Sequence, residues 1–214
     1  TDTFVGTAGN DTFTSAAGTL TTADAVIDSS TTDNDTFTIS NTGSTTTAGM
    51  TIAGIENVIF DITSFATPTI TTSGIGAGTK VTVNQLQAGS TGAATVSGVG
   101  YDMNLTAGTN ITGTLTVNTI TAGSTVTIDA GSAATVTTTT AGAKGVMNIT
   151  GGSTLATTTT IASAQNITTS AASATLNIDG VGTAAGDTAT ASIGAAASIV
   201  NGATNVVETI NVSS

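Results

Sequence analysis

Apolar–polar–apolar triplets recur through the middle of this chain and set its strongest constraint. Val81-Thr82-Val83, Met103-Asn104-Leu105, Leu115-Thr116-Val117, Val126-Thr127-Ile128, Met147-Asn148-Ile149 and Leu176-Asn177-Ile178 all share the pattern. Alternation with period two puts every second side chain on one face, which is the signature of a half-buried strand. Turn-like pieces separate the triplets, among them Ala107-Gly108-Thr109, Ala122-Gly123-Ser124 and Gly151-Gly152-Ser153. From Met103 through Leu115, Val126, Val136 and Met147 the steps are 12, 11, 10 and 11 residues.

Two architectures fit short strands at that spacing. One is an antiparallel β-sandwich, in which turn signals also come every 8–12 residues or so. The other is a parallel β-helix, a β-solenoid of roughly 20–22 residues per coil with two main strands in each. The solenoid is the preferred reading, with right-handed coils. Its small side chains suit a narrow core, and charges are nearly absent even at turns. The short units also recur without hairpin dipeptides, Asp179-Gly180 and Asn201-Gly202 excepted.

Composition supports an all-β chain and removes most chemistries. Threonine, β-branched and suited to a pleated surface, supplies 54 of the 214 residues. There is no histidine, cysteine or arginine, so neither a Ser-His-Asp triad nor a thiolate or imidazole metal site can be built. The net charge of -11 argues against nucleic-acid binding, which needs a basic surface. No apolar run is long enough to cross a membrane. The sequence opens in polar residues at Thr1, with no signal peptide, as expected of a mature chain or an excised piece. An enzyme is not expected, because the single tyrosine, Tyr101, and the isolated Lys80 and Lys144 offer nothing to hold a substrate.

The acids divide the chain. Asp2, Asp11, Asp24, Asp28, Asp33, Asp35, Glu56 and Asp61 are eight of its 13 acids, crowded into its first third. This gives three segments: an acidic β segment, short and irregular, over 1–64; Thr/Ala/Gly-rich solenoid repeats over 65–186; and the start of a second acidic repeat over 187–214. The repeat is visible without gaps. Residues 35–60 align with 187–212, so Asp35 and Glu56 match Asp187 and Glu208, and these are the only two glutamates. Phe4, Phe13, Phe37, Phe60 and Phe65 also fall at this end of the chain and are expected to fill the core of the acidic segment.

Within the acidic segment the string Asn-Asp-Thr-Phe occurs twice, at Asn10 to Phe13 and at Asn34 to Phe37. Such Asx-rich stretches can be tight turns that satisfy their own backbone groups. They can equally form a calcium cradle, since calcium takes six to eight oxygens from carboxylates and carbonyls. No Lys or Arg precedes Lys80 to offset the acids, and a divalent cation is the simplest neutraliser. The candidate metal ligands are Asp2, Asn10, Asp11, Asp24, Asp28, Asp33, Asp35, Glu56, Asp187 and Glu208.

Gly6-Thr7-Ala8-Gly9-Asn10-Asp11-Thr12-Phe13 resembles the glycine- and aspartate-rich nonapeptide of RTX (repeats-in-toxin) proteins, whose copies stack into a calcium-filled parallel β-roll. The Asp-Thr-Phe strand, the Ser/Thr-rich stretch, Gly54-Ile55-Glu56-Asn57-Val58 and the Thr-rich repeats together resemble the RTX-related surface-layer proteins of Gram-negative bacteria. That resemblance implies a secreted structural protein on the cell surface. It implies calcium-dependent self-assembly into a two-dimensional lattice, with cell-surface polysaccharide or lipopolysaccharide as a further partner. A repetitive adhesin or biofilm-matrix protein is the alternative. An ice-binding solenoid is a remoter one, because the Thr-rich tracts at 135–140 and 157–160 would have to form a flat, regular array.

Overall fold

A computed structural model describes the backbone of residues 1–213 except 31, 65–66, 88–89, 91, 100–102, 109, 121–124, 141–144, 151–153, 162–164, 170–172, 181–187, 194–196 and 202–208. Within that set it describes side chains as far as residue 138, apart from 119, 120 and 125. Every regular element among the described residues is a strand. The first are β1 (Thr3–Val5), β2 (Thr12–Ser15), β3 (Ala25–Ile27), β4 (Thr36–Asn41), β5 (Thr45–Thr46), β6 (Thr51–Ala53) and β7 (Asn57–Ile62). There follow β8 (Thr69–Thr71), β9 (Lys80–Gln85), β10 (Ala94–Ser97), β11 (Asn104–Ala107), β12 (Thr114–Ile120), β13 (Thr125–Asp129) and β14 (Thr135–Thr140). The last are β15 (Gly145–Thr150), β16 (Thr154–Ile161), β17 (Gln165–Thr169), β18 (Ser173–Gly180), β19 (Thr188–Ile193), β20 (Ala197–Asn201) and β21 (Thr209–Ser213).

These strands form a parallel β-solenoid. A ten-stranded sheet runs from β2 and β4 to β19 and β21, and an eight-stranded sheet runs from β5 and β8 to β20. A third sheet of three strands, β1, β3 and β6, flanks the first coils. Neighbours pair in parallel, with one coil of chain between them, so each coil climbs one strand spacing of about 4.8 Å. A sandwich would have made its neighbours antiparallel. The triplet-to-triplet step of the sequence is half a coil: Leu115 and Val136 lie in the eight-stranded sheet, while Leu105, Val126 and Met147 lie in the ten-stranded one.

Register is held within the strands, apart from a shift in β12 between Asn118 and Ile120, and the corners absorb variation in coil length. Phe13, Phe37, Val58, Val81, Leu105 and Ile128 stack one above another, one from each coil. Most of these coils are longer than the triplet spacing implies, because their corners are long and the early coils also carry a third strand. The acidic segment over 1–64 is part of the same stack, since β2, β4 and β7 continue directly into β9.

Inward residues build one narrow core. Phe60, Ile62, Val81, Val83, Val96, Leu115, Val117 and Ile128 are fully buried, each contributing about 1.5–3 kcal/mol. Threonine enters this core too. Thr47, Thr72 and Thr79 are buried, and their hydroxyls donate to the carbonyls of Thr71, Ser97 and Ile55 in adjacent coils. Phe37 and Phe60 are buried and Phe13 partly so, but Phe4 is 52% exposed. It lies in β1, an edge strand of the three-stranded sheet, paired on one side only, with Val26. Phe65 lies outside the described residues.

The outer faces of the two long sheets differ. On the eight-stranded sheet Thr69, Thr95, Thr116 and Thr137 stand in one rank, and Thr71, Ser97 and Asn118 in the next. Of the eight strands in that sheet only β18 contains a charged residue, Asp179. The ten-stranded sheet carries Asp61, Lys80 and Asp129. The internal repeat is also structural. Thr36 pairs with Asn57 between β4 and β7, and Thr188 pairs with Thr209 between β19 and β21, so the two repeats close coils of equal length.

Candidate metal centre

Asp11, Asp35 and Glu56 each occupy the residue just before a strand of the ten-stranded sheet, ahead of β2, β4 and β7. Because Thr12, Thr36 and Asn57 stack in register, the acids before them stack as well. Acids one coil apart in sequence thereby become neighbours along one edge. Hydrogen bonds tie this edge together. The N–H of Asp11 donates to Asp35 Oδ1 at 2.8 Å, and the N–H of Asp35 donates to Glu56 Oε2 at 2.8 Å. Beside it the N–H of Asn34 donates to Asn10 Oδ1 at 2.9 Å, and Asn57 Nδ2 donates to Asn34 Oδ1 at 2.8 Å.

The connection between β3 and β4 brings in two further acids. Asp28 directly follows β3, and Asp33 lies two positions before Asp35. One carboxylate oxygen from each of Asp11, Asp28 and Asp35 lies within 4.8 Å of the other two, and the same holds for Asp33, Asp35 and Glu56. Asp35 belongs to both groups. It is fully buried, and Asp28 is 5% exposed. Among the described residues, four buried carboxylate oxygens have no hydrogen-bond partner: Asp28 Oδ1, Asp33 Oδ1, Asp33 Oδ2 and Asp35 Oδ2.

Glycines allow the chain to close over these acids. A Cβ on Gly6 would overlap Asp28 Oδ1 and lie 3.0 Å from Asp11 Oδ2. Gly54 has a φ of +69°, and a Cβ there would overlap the Asp28 carbonyl oxygen. Both sites exclude any side chain, so backbone packs directly against the acids.

The electrostatics are unfavourable as they stand. The Asp11 N–H bond favours the charged form of Asp35. Burial and the charges of Asp33, Asp28 and Glu56 outweigh it and raise the Asp35 pKa above the ordinary carboxylate value. Buried charges are normally paired or bound to a metal, and no Lys or Arg occurs before Lys80. Hard carboxylate oxygens in this number suit a hard cation such as calcium.

The other candidate ligands lie elsewhere or do other work. Asp24 sits at the corner before β3, outside both acid groups. Its Oδ1 accepts from Thr21 Oγ1 at 2.7 Å and from the N–H of Asp2 at 2.9 Å, and its Oδ2 accepts from the N–H of Thr21 at 2.8 Å. The Thr21 hydroxyl is the main reason its pKa is lowered, with the two backbone N–H groups adding to it. Asp24 is thus a satisfied turn acid. Asp2 contributes its main chain there, and Asn10 holds the neighbouring asparagine ladder. Asp187 and Glu208 lie outside the described residues.

Sequence reasoning did not single out Thr7, Ser30, Gly6 or Gly54 as parts of the site. Thr7 donates to Asp11 through both its N–H and its hydroxyl, and the N–H of Ser30 donates to Asp28 Oδ2. The signal for the glycines is their place just ahead of each acidic corner, in Gly6-Thr7 and Gly54-Ile55-Glu56.

No protein-family model, curated protein or solved structure matches the chain.

Proposed function

We propose that this chain is a structural β-solenoid whose first three coils are clasped by calcium, and which assembles laterally into a lattice on a bacterial surface. One observation carries the calcium reading: five carboxylates from three coils converge on one edge, with four of their oxygens buried and unpartnered. Binding there would relieve the repulsion and fasten the coils to one another. Folding would then depend on the metal, because the unfolded chain holds no formed site. Calcium sites of extracellular modules work at about 0.1–1 mM, which suits a protein outside the cell. The lattice rests on the resemblance to surface-layer proteins, together with a repetitive scaffold of low surface charge.

Electron microscopy of the purified chain, with calcium and with chelator, tests the reading. Ordered sheets with calcium and none with chelator are expected. Isolated rods under both conditions would remove the lattice and leave an adhesin or matrix role.

A second reading, ice binding, is favoured by the uncharged, in-register threonine ranks of the eight-stranded sheet. Parallel strands space these side chains regularly in two directions, as binding to a crystal face requires. A thermal-hysteresis assay decides it, and no hysteresis would sink it.

A further inference from the structure

We infer that the acidic edge holds two calcium ions bridged by Asp35, one held with Asp11 and Asp28, the other with Asp33 and Glu56. The inference rests on the calcium reading above and deepens it. Two counts separate two ions from one.

The first count is of oxygens. The two groups share only Asp35, and in each group one carboxylate oxygen from every member lies within 4.8 Å of the others. Asp28, whose Oδ1 is unpartnered, belongs to the first group, and Asp33, both of whose oxygens are unpartnered, belongs to the second. An ion in the first group alone leaves both buried Asp33 oxygens without a partner. An ion in the second alone leaves Asp28 Oδ1 so, on a side chain 5% exposed. Either arrangement strands a buried carboxylate oxygen, which folded proteins avoid because the lost hydration is not replaced.

The second count is of charge. Asp11, Asp28, Asp33, Asp35 and Glu56 carry five negative charges. One divalent ion leaves three uncompensated, and two leave one.

Asp35 is suited to bridge. Its Oδ1 is held by the Asp11 N–H, while its Oδ2 is buried and unpartnered. Its backbone is fixed on both sides, by its N–H to Glu56 and by its carbonyl, which accepts from Asn57. Gly6 covers the first position, since its missing Cβ would fall beside both Asp28 Oδ1 and Asp11 Oδ2.

Native mass spectrometry of the full chain in calcium tests the count. Asp28→Asn and Glu56→Gln should each lose one ion relative to the parent, their combination two, and Asp35→Asn alone two. Loss of a single ion on Asp35→Asn, or the same single ion lost by Asp28→Asn, Glu56→Gln and their combination, overturns the bridge and leaves the calcium reading intact. No loss in any variant overturns both. Should a variant fail to fold, the parent chain loaded with a mixture of terbium and europium gives an independent answer. A shared carboxylate places the ions close enough for terbium to sensitise europium, and absence of sensitised emission overturns the pair.

Discussion

The N–H of Asp35 donates to Glu56 Oε2 at 2.8 Å, so the acid of the third coil caps the backbone of the second. Asp35 does the same for Asp11 through its Oδ1. One oxygen of Asp35 is thus spent on the ladder, while the other, Oδ2, stays buried without a partner. The ladder explains how like charges come to be stacked, and the free oxygen is what a cation on this edge would take up.

Asp35→Asn should separate these two roles. Asparagine can still accept from the Asp11 N–H, and it removes the charge that opposes burial. In chelator the variant should melt higher than the parent, by a few degrees, since 1 kcal/mol is about 2–4 °C for a chain of this size. In calcium it should melt lower than the parent. The parent in chelator should itself gain stability on mild acidification. Its Asp35 binds a proton more tightly folded than unfolded, so the gain accrues as pH falls from the raised pKa toward the ordinary value near 3.9. Melting curves in chelator across that range, for parent and variant, check both points.

Asp24 has the opposite sign. Its folded pKa lies below the unfolded value, so its contribution is present above about pH 3.9 and is lost as pH falls through the folded pKa. Asp24→Asn should flatten the acid limb of the stability profile and leave calcium binding unchanged. A calcium titration by calorimetry checks the second half.

Much of the fold could be read from residues such as Val81 and Val83, or Leu115 and Val117, because period-two alternation and a half-coil step are local properties. Strand direction followed from small side chains and missing hairpin signals. The third sheet could not be read, because Phe4, Val26 and Ile52 sit in three-residue strands with no pattern longer than one triplet. At the site, Asp11, Asp35 and Glu56 were legible because their spacings equal whole coils. Asp24 belongs to the same acidic stretch of sequence, yet its corner begins a different sheet. Only geometry shows its oxygens to be satisfied by Thr21 and Asp2.

Gly54→Ala should be among the most damaging single-methyl changes in the chain. A left-handed φ alone costs a non-glycine residue about 1–3 kcal/mol, and the new Cβ would overlap the Asp28 carbonyl. The shift forced on Asp28 should also weaken calcium binding. Thermal melts with and without calcium should show a lower midpoint and a smaller calcium increment than in the parent.

Phe60→Ala removes a fully buried ring stacked between Ile39 and Val83 of the adjacent coils. Such truncations cost about 3–5 kcal/mol. In a solenoid each coil contacts only its neighbours, so the damage should be local. Limited proteolysis should show new cleavage close to β4, β7 and β9 before any in β12 or β14.

The most direct test of the calcium clasp is hydrogen exchange on the intact chain, with calcium and with chelator. The account predicts slower exchange in calcium at the amides of Asp11, Asp35 and Asn57 and from Asp2 to Ile62, with little change from Ala94 to Thr138. Equal exchange under the two conditions from Asp2 to Ile62 would contradict it.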